Sequence, residues 1–295
     1  MGKAATQKPI SERAQEASGN LPVPQASAAP PADLMEFAAE QGGRGVSTAA
    51  DDNLVPLIYV LHYSSPQVDR RDNAYIEGAE PGDIWLRGAP LGMEIIKPHD
   101  GLLVQPCYFY KDVGEWRPRQ EGGGGGQGFI CRHLEEAAKD VAGAVEDPDD
   151  KNHWTITRNG EVHDLVETRN HAVLVYHPSG RVMPYLIPLS STGHGVSRAW
   201  MSQINGQIIQ QGSKKGEPWD SFARLYVLRT EPRANKLGKW FSFTTEEGPW
   251  CDREKYLMGR KLHEQFARGE KRAEAPEASA DPAPAAGGTN TDALA

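Results

Sequence analysis

The sequence predicts a mainly β fold, a small closed barrel or strongly curved sheet with a few added helices, flanked by disordered N- and C-terminal tails. Three observations carry this expectation. Runs rich in Val, Ile, Tyr and Phe, bounded by turn residues, recur through the middle of the chain. Few segments space apolar residues three and four apart. Both ends are rich in Ala and Pro and poor in aliphatic residues, so they bury too little surface to offset ordering entropy. The expected division is a tail over 1–50, one domain over 51–268 and a second tail over 269–295.

The elements follow in order. Residues 33–41 can form a short helix capped by Asp33 and broken by Gly42, Gly43 and Gly45. The turn at 80–83 (EPGD) leads into a short strand over 84–86. Residues 101–110 (GLLVQPCYFY) read as a strand in which Pro106 marks an edge or a bulge. After a glycine run, Ile130, Leu134, Ala138 and Val141 have helical spacing, which predicts a helix over 129–145. Residues 171–177 and 181–189 form a hairpin around the turn at 178–180. Val196, Trp200, Ile204 and Ile208 predict a helix over 196–210. Residues 221–230 and 239–245 make a second hairpin with a long, basic connection. Met258, Leu262 and Phe266 predict a last helix over 252–268, capped by Asp252.

Composition narrows the function. A formal net charge of −8 excludes a globally basic nucleic-acid coat but leaves room for a local basic face. Three cysteines do not make a disulfide framework and fit a reducing, cytoplasmic setting. No apolar run approaches the ~18 residues of a membrane span, and no apolar signal core follows the first charges.

Catalytic and metal motifs are weak. The glycine run 122–126 lacks the Lys of a phosphate loop and reads as a flexible connection. Cys131 and His133 form a single C-x-H pair. A zinc site would have to add Cys107, Cys251, His153 or His163, whereas structural zinc sites show two close pairs, so no metal is expected. There is no G-x-S-x-G and no H-E-x-x-H. Ser190, Ser191, Thr192 and His194 precede a helix, where hydroxyls cap its end. The acidic residues of 146–150 read as a solvated loop. No catalytic residue and no cofactor is assigned.

Charge distribution says more. Residues 51–197 carry 13 basic and 22 acidic residues, whereas 198–239 carry eight basic and three acidic ones with aromatics between them. On a strand, alternation places Phe222, Arg224 and Tyr226 on one face and Ala223, Leu225 and Val227 on the other. If the second set closes the core, the first is a stacking platform for bases, with Arg229, Arg233, Lys236, Lys239 and Trp240 beside it for phosphates. Ordinary packing of Phe222 and Tyr226 with a snorkelling Arg224 explains the same pattern equally well. A second cluster combines Tyr108, Tyr110, Trp116, Arg117 and Arg119 at a strand end, and a Trp-anchored hairpin is its plain alternative.

Several short stretches together resemble a phage and prophage family commonly taken to be single-stranded DNA-binding proteins. They are DDNLVPL at 51–57, SSPQV at 64–68, YIEGAEPGDI at 75–84, VQPC at 104–107, EWRPR at 115–119 with the glycine-rich loop after it, and PLSST at 188–192, which leads into a helix carrying Arg198 and Trp200. The resemblance implies an OB-like barrel that coats single-stranded DNA without sequence specificity during replication or recombination in the host cytoplasm, and without enzymatic turnover. The chain departs from the strongly acidic, aromatic-tipped tails by which such proteins recruit replication partners, since it ends TDALA. Two rival readings remain, a phage structural or assembly protein and a metal-dependent nuclease using the acidic loops.

Overall fold

A computed structural model describes residues 54–88, 94–117, 128–148, 153–177, 180–235 and 238–273, all within one compact unit. The expected tail over 1–50, the helix over 33–41 and the glycine run at 122–126 lie outside the described residues. So does 274–295 of the expected second tail.

The chain starts with β1 (Leu54–Val55), β2 (Ile58–Val60), β3 (Ile84–Leu86) and β4 (Glu94–Ile96). Two long strands follow, β5 (Leu102–Trp116) and later β9 (Glu161–Tyr176), with β6 (Phe129–His133), β7 (Ala144–Glu146) and β8 (Trp154–Arg158) between them. Then come β10 (Val182–Ser190), helix α1 (Gly193–Asn205), β11 (Arg224–Asn235), β12 (Gly238–Trp250), helix α2 (Arg253–Ala267) and β13 (Arg272–Ala273).

β5 and β9 pair along nearly their whole length and change outer partners midway. β11 and then β6 flank β5, while β8 and then β10 flank β9. The resulting eight-stranded sheet runs β12-β11-β5-β9-β8-β7, with β6 and β10 joined at the sides. Its two end strands do not pair with each other, so the expected barrel, OB-like or otherwise, does not close. Helices and a separate β2-β3-β4 sheet cover the open faces instead.

The run HAVLVY explains why both faces need cover. Val173 and Val175 point into one core with Ile58, Ile84, Trp200 and Tyr226, while Ala172 and Leu174 point into another with Phe222, Leu262 and Phe266. Pro106 sits at a register shift against β9, the bulge that proline inside a central strand demands.

Three expected elements differ. The helix over 196–210 starts three residues earlier and ends at Asn205, leaving Ile208 in an isolated bridge to Pro218. The helix over 129–145 is replaced by β6, a 3-10 turn at Ala138–Asp140 and β7. Of the four periodic residues only Ala138 and Val141 are buried, and ladder bonds from the end of β5 claim the first stretch. The second hairpin has much longer arms than expected. Most of its basic connection is ladder, paired from Arg224↔Trp250 to Asn235↔Gly238. The expected helix caps divide. Asp252 accepts from the Lys255 N–H at 2.9 Å, whereas the Thr192 side chain makes no capping bond at the start of α1. No described helix is long and apolar enough to cross a membrane.

Candidate nucleic-acid interface

The stacking platform expected on β11 does not form. Phe222 lies in a 3-10 turn (Ser221–Ala223) before the strand and packs against Tyr256 and His263 beneath α2. Tyr226 is fully buried in the other core, edge-on to Trp200 at 5.9 Å. The register shift between Arg224 and Tyr226 puts its extra residue on β12, and along β11 it is Tyr226 and Leu228 that face this core, while Leu225 is also buried and Val227 is half-exposed.

The cations of this stretch are largely compensated. Arg224 donates to the Gly248 carbonyl (2.8 Å) and to Gln207 (3.1 Å), pairs with Glu247 at 2.6 Å and lies 5.2 Å over the Trp250 ring. Arg229 donates to the carbonyls of Pro98 and His99 and lies 3.7 Å from Glu246. Arg233 pairs with Glu231. Lys239 is exposed, and the half-exposed Trp240 stands opposite Arg233 in the ladder. Lys236 and Arg119 lie outside the described residues.

Tyr108 and Tyr110 do share a face of β5, but α2 covers it. Tyr108 stacks on Phe266 at 5.8 Å and meets His263 at 5.4 Å, while Tyr110 is 6.5 Å from Phe266. Burial pushes the Tyr110 hydroxyl well above its ordinary range.

Trp116 and Arg117 stand elsewhere, where β5 and β6 form the base of the hairpin that carries the glycine run. Trp116 meets Phe129, its ladder partner, at 5.2 Å and a steep 70°. A Cβ at Gly114 would lie 2.6 Å from Trp116 Nε1, so glycine leaves room for the indole to fold back over the strand. Arg117 is exposed, donates its backbone N–H to Gly128 at 3.0 Å and has its guanidinium 3.9 Å from Glu161.

A cleft of about 970 Å³, open to solvent, begins at this ring pair. The rings of Tyr59, Trp116, Phe129, Phe241 and Phe243 line it, together with Arg132, Asp112 and the β10–α1 corner at Ser190, Thr192 and Gly193. Arg132 Nε lies 3.0 Å from the buried Asp112 carboxylate. Burial pushes that carboxyl up against the opposing pull of Arg132. Thr192 and Gly193 also bring the start of α1, the positive end of its dipole, to a space floored by rings. Flat π faces suit bases, and a guanidinium beside a helix N-terminus suits phosphates. Phe129, Arg132 and Phe241 went unnoticed in the sequence, although Phe129 and Trp116 flank the glycine run, a readable sign of a hairpin base.

On the opposite face of the same hairpin lies Glu115, almost wholly buried. His163 Nδ1 is 2.6 Å from one of its oxygens, while His133 Nε2 is 2.8 Å and Cys131 Sγ 3.5 Å from the other. Arg158 lies 3.7 Å away. Burial alone would raise the Glu115 carboxyl, but hydrogen bonds from His163, His133 and Cys131 and the Arg158 charge hold it below the usual carboxylate range. In the acidic loop, Asp147 is tied to His153 at 3.1 Å, and Asp149 and Asp150 lie outside the described residues.

No curated protein and no solved structure matches the chain. The sequence profile of the Pam3 phage gp34-like protein family matches residues 25–272, which include β1 to β12 and both helices. With most of its length covered by that match, the chain belongs to the Pam3 phage gp34-like protein family.

Proposed function

We propose that this phage protein binds single-stranded DNA, without turning it over, in the cleft at the base of the β5–β6 hairpin. The observation that carries the reading is the meeting of Trp116, Phe129 and Phe241 with Arg132 and the α1 N-terminus in one open space. Each stacked base contributes ~1–3 kcal/mol and is accepted whatever its identity, because every base has a π face. Covering single strands during phage replication or recombination is the role that this chemistry suits. With a net charge of −8, attraction has to come from the local cations, so affinity falls as salt rises.

A second reading, a phage structural or assembly protein, has one observation in its favour. Trp219 and Trp250 form an exposed ring pair 5.4 Å apart, and neither ring lines the cleft. Titration of the intrinsic fluorescence of the seven tryptophans with poly-dT separates the two. DNA binding predicts saturable, salt-sensitive quenching, a strand recovered intact in Mg²⁺, a loss of ~1–3 kcal/mol in Phe129→Ala and no loss in Trp250→Ala. A flat titration at low salt, or equal affinity of Phe129→Ala and the parent, removes the cleft from consideration.

A further inference from the structure

The cluster around Glu115 has a composition that the cleft does not use. Cys131 and His133 are two apart on β6, so alternation puts both side chains on one face. Glu115 is the direct ladder partner of Cys131, and His133 faces Val113, one step diagonal from Glu115. Sulfur, nitrogen and oxygen donors thereby converge, all within 4.8 Å of one another. We propose that Cys131 Sγ, His133 Nε2 and Glu115 Oε2 bind one zinc ion that pins β6 to β5 directly behind the aromatic cleft.

Ligand geometry supports zinc. With Zn–S of about 2.3 Å and Zn–N and Zn–O of about 2.0 Å, tetrahedral angles place sulfur about 3.5 Å from its neighbours and nitrogen about 3.3 Å from oxygen. Cys131 Sγ already lies 3.7 Å from His133 Nε2 and 3.5 Å from Glu115 Oε2. Only the 2.8 Å contact between His133 and Glu115 has to open, by about half an ångström on the same geometry. A thiolate donor selects against Mg²⁺ and Ca²⁺, and a mixed S/N/O set suits zinc.

His163 is the independent observation. It holds the second Glu115 oxygen at 2.6 Å, as a supporting residue orients a carboxylate ligand. It is 4% exposed, its Nε2 makes no hydrogen bond, and it lines the same cavity as Glu115 and Cys131. A water from that cavity completes the fourth position, while His163 Nε2 lies 3.6 Å from the Glu161 carboxylate. Binding releases the Cys131 thiol proton to solvent and shifts the His133 proton from Nε2 to Nδ1, and the thiolate and carboxylate together neutralise the ion.

The test uses the full chain, stripped with a chelator and then titrated with Zn²⁺ or Co²⁺ in the absence of DNA. The expected results are one zinc per chain by elemental analysis, a higher melting midpoint with zinc, and a tetrahedral Co²⁺ spectrum with a thiolate-to-cobalt charge-transfer band. Cys131→Ser loses that band and the stoichiometric zinc, and Cys251→Ser keeps both. Circular dichroism shows whether Cys131→Ser folds, and His133→Gln replaces it if it does not. Sub-stoichiometric metal in the parent chain, or a charge-transfer band that survives in Cys131→Ser, overturns the site. Neither result depends on whether the cleft binds DNA.

Discussion

The ring of Tyr226 closes the space between β11 and α1, edge-on to Trp200, and burial pushes its hydroxyl up to about 12. Truncating a ring packed in this way leaves a cavity, so Tyr226→Ala should cost about 3–5 kcal/mol of stability. Urea denaturation measures this, and oligonucleotide affinity below the midpoint should equal that of the parent. The sequence suggested the opposite face because alternation sorts side chains into two sets without saying which set lies inside. Tyr226 and Leu228 close the core here, and no residue type in RLYV says that their face is the inner one. The basic stretch misled for a related reason. Its compensating acids, Glu246 and Glu247, lie on β12 beyond the window that looked basic and reach Arg229 and Arg224 only across the ladder. Trp116 could be picked out from the sequence as an aromatic at a strand end and does line the cleft, whereas Arg117 beside it lines the cavity around Glu115 instead.

Among the elements, α2 was read almost residue for residue, since its cap and apolar stripe are local signals. What it packs against was not. Gln105 Nε2 donates to the carbonyls of Phe222 (2.7 Å) and Lys255 (3.0 Å), and its oxygen accepts from the Tyr176 hydroxyl at 2.7 Å. Gly259 makes room for this bridge, because a Cβ there would lie 2.5 Å from Gln105 Nε2 and 2.7 Å from Phe222 Cβ. Alanine is the better helix former by ~1 kcal/mol. Overpacking typically costs ~1–3 kcal/mol, and here the bridge would also lose partners. Gly259→Ala should therefore lower the melting midpoint, whereas an intrinsic propensity effect alone would raise it. Another local signal went unread. Asn159-Gly160 joins β8 to β9 with φ of 51° and 84°, the paired positive values of a tight hairpin turn that Asn-Gly favours. The missed element, 129–145, is one in which pairing with the other arm of a hairpin outweighs helical spacing.

For the molecule as a whole, mainly β content was legible and barrel closure was not. Content comes from local composition, whereas closure depends on which edges meet across long stretches of chain. The stability of the whole also responds to one buried group. His171 stacks on Trp200 at 4.7 Å, meets Phe109 at 5.0 Å and lies 2.8 Å from the Ser197 hydroxyl. Burial, helped by Arg169, lowers its pKa from 6.5 to about 3. The folded state thus excludes a proton that the unfolded chain accepts below pH 6.5. This contribution is fully present above that pH and is lost toward pH 3, at up to ~1.4 kcal/mol per pH unit. Melting at pH 5 should lie below melting at pH 7, and His171→Phe should flatten the difference.

The short β1–β13 pair has a topological consequence. Its parallel register sets Leu54 beside Arg272 and Val55 beside Ala273, so the first and last described strands lie side by side. A covalent ring closed there by a short linker, and opened at the Asn159-Gly160 corner, would keep every ladder while reversing the order in which its two halves emerge during synthesis. β9 would then begin the chain and β8 would end it, so that β5, which now emerges before β9, would follow it.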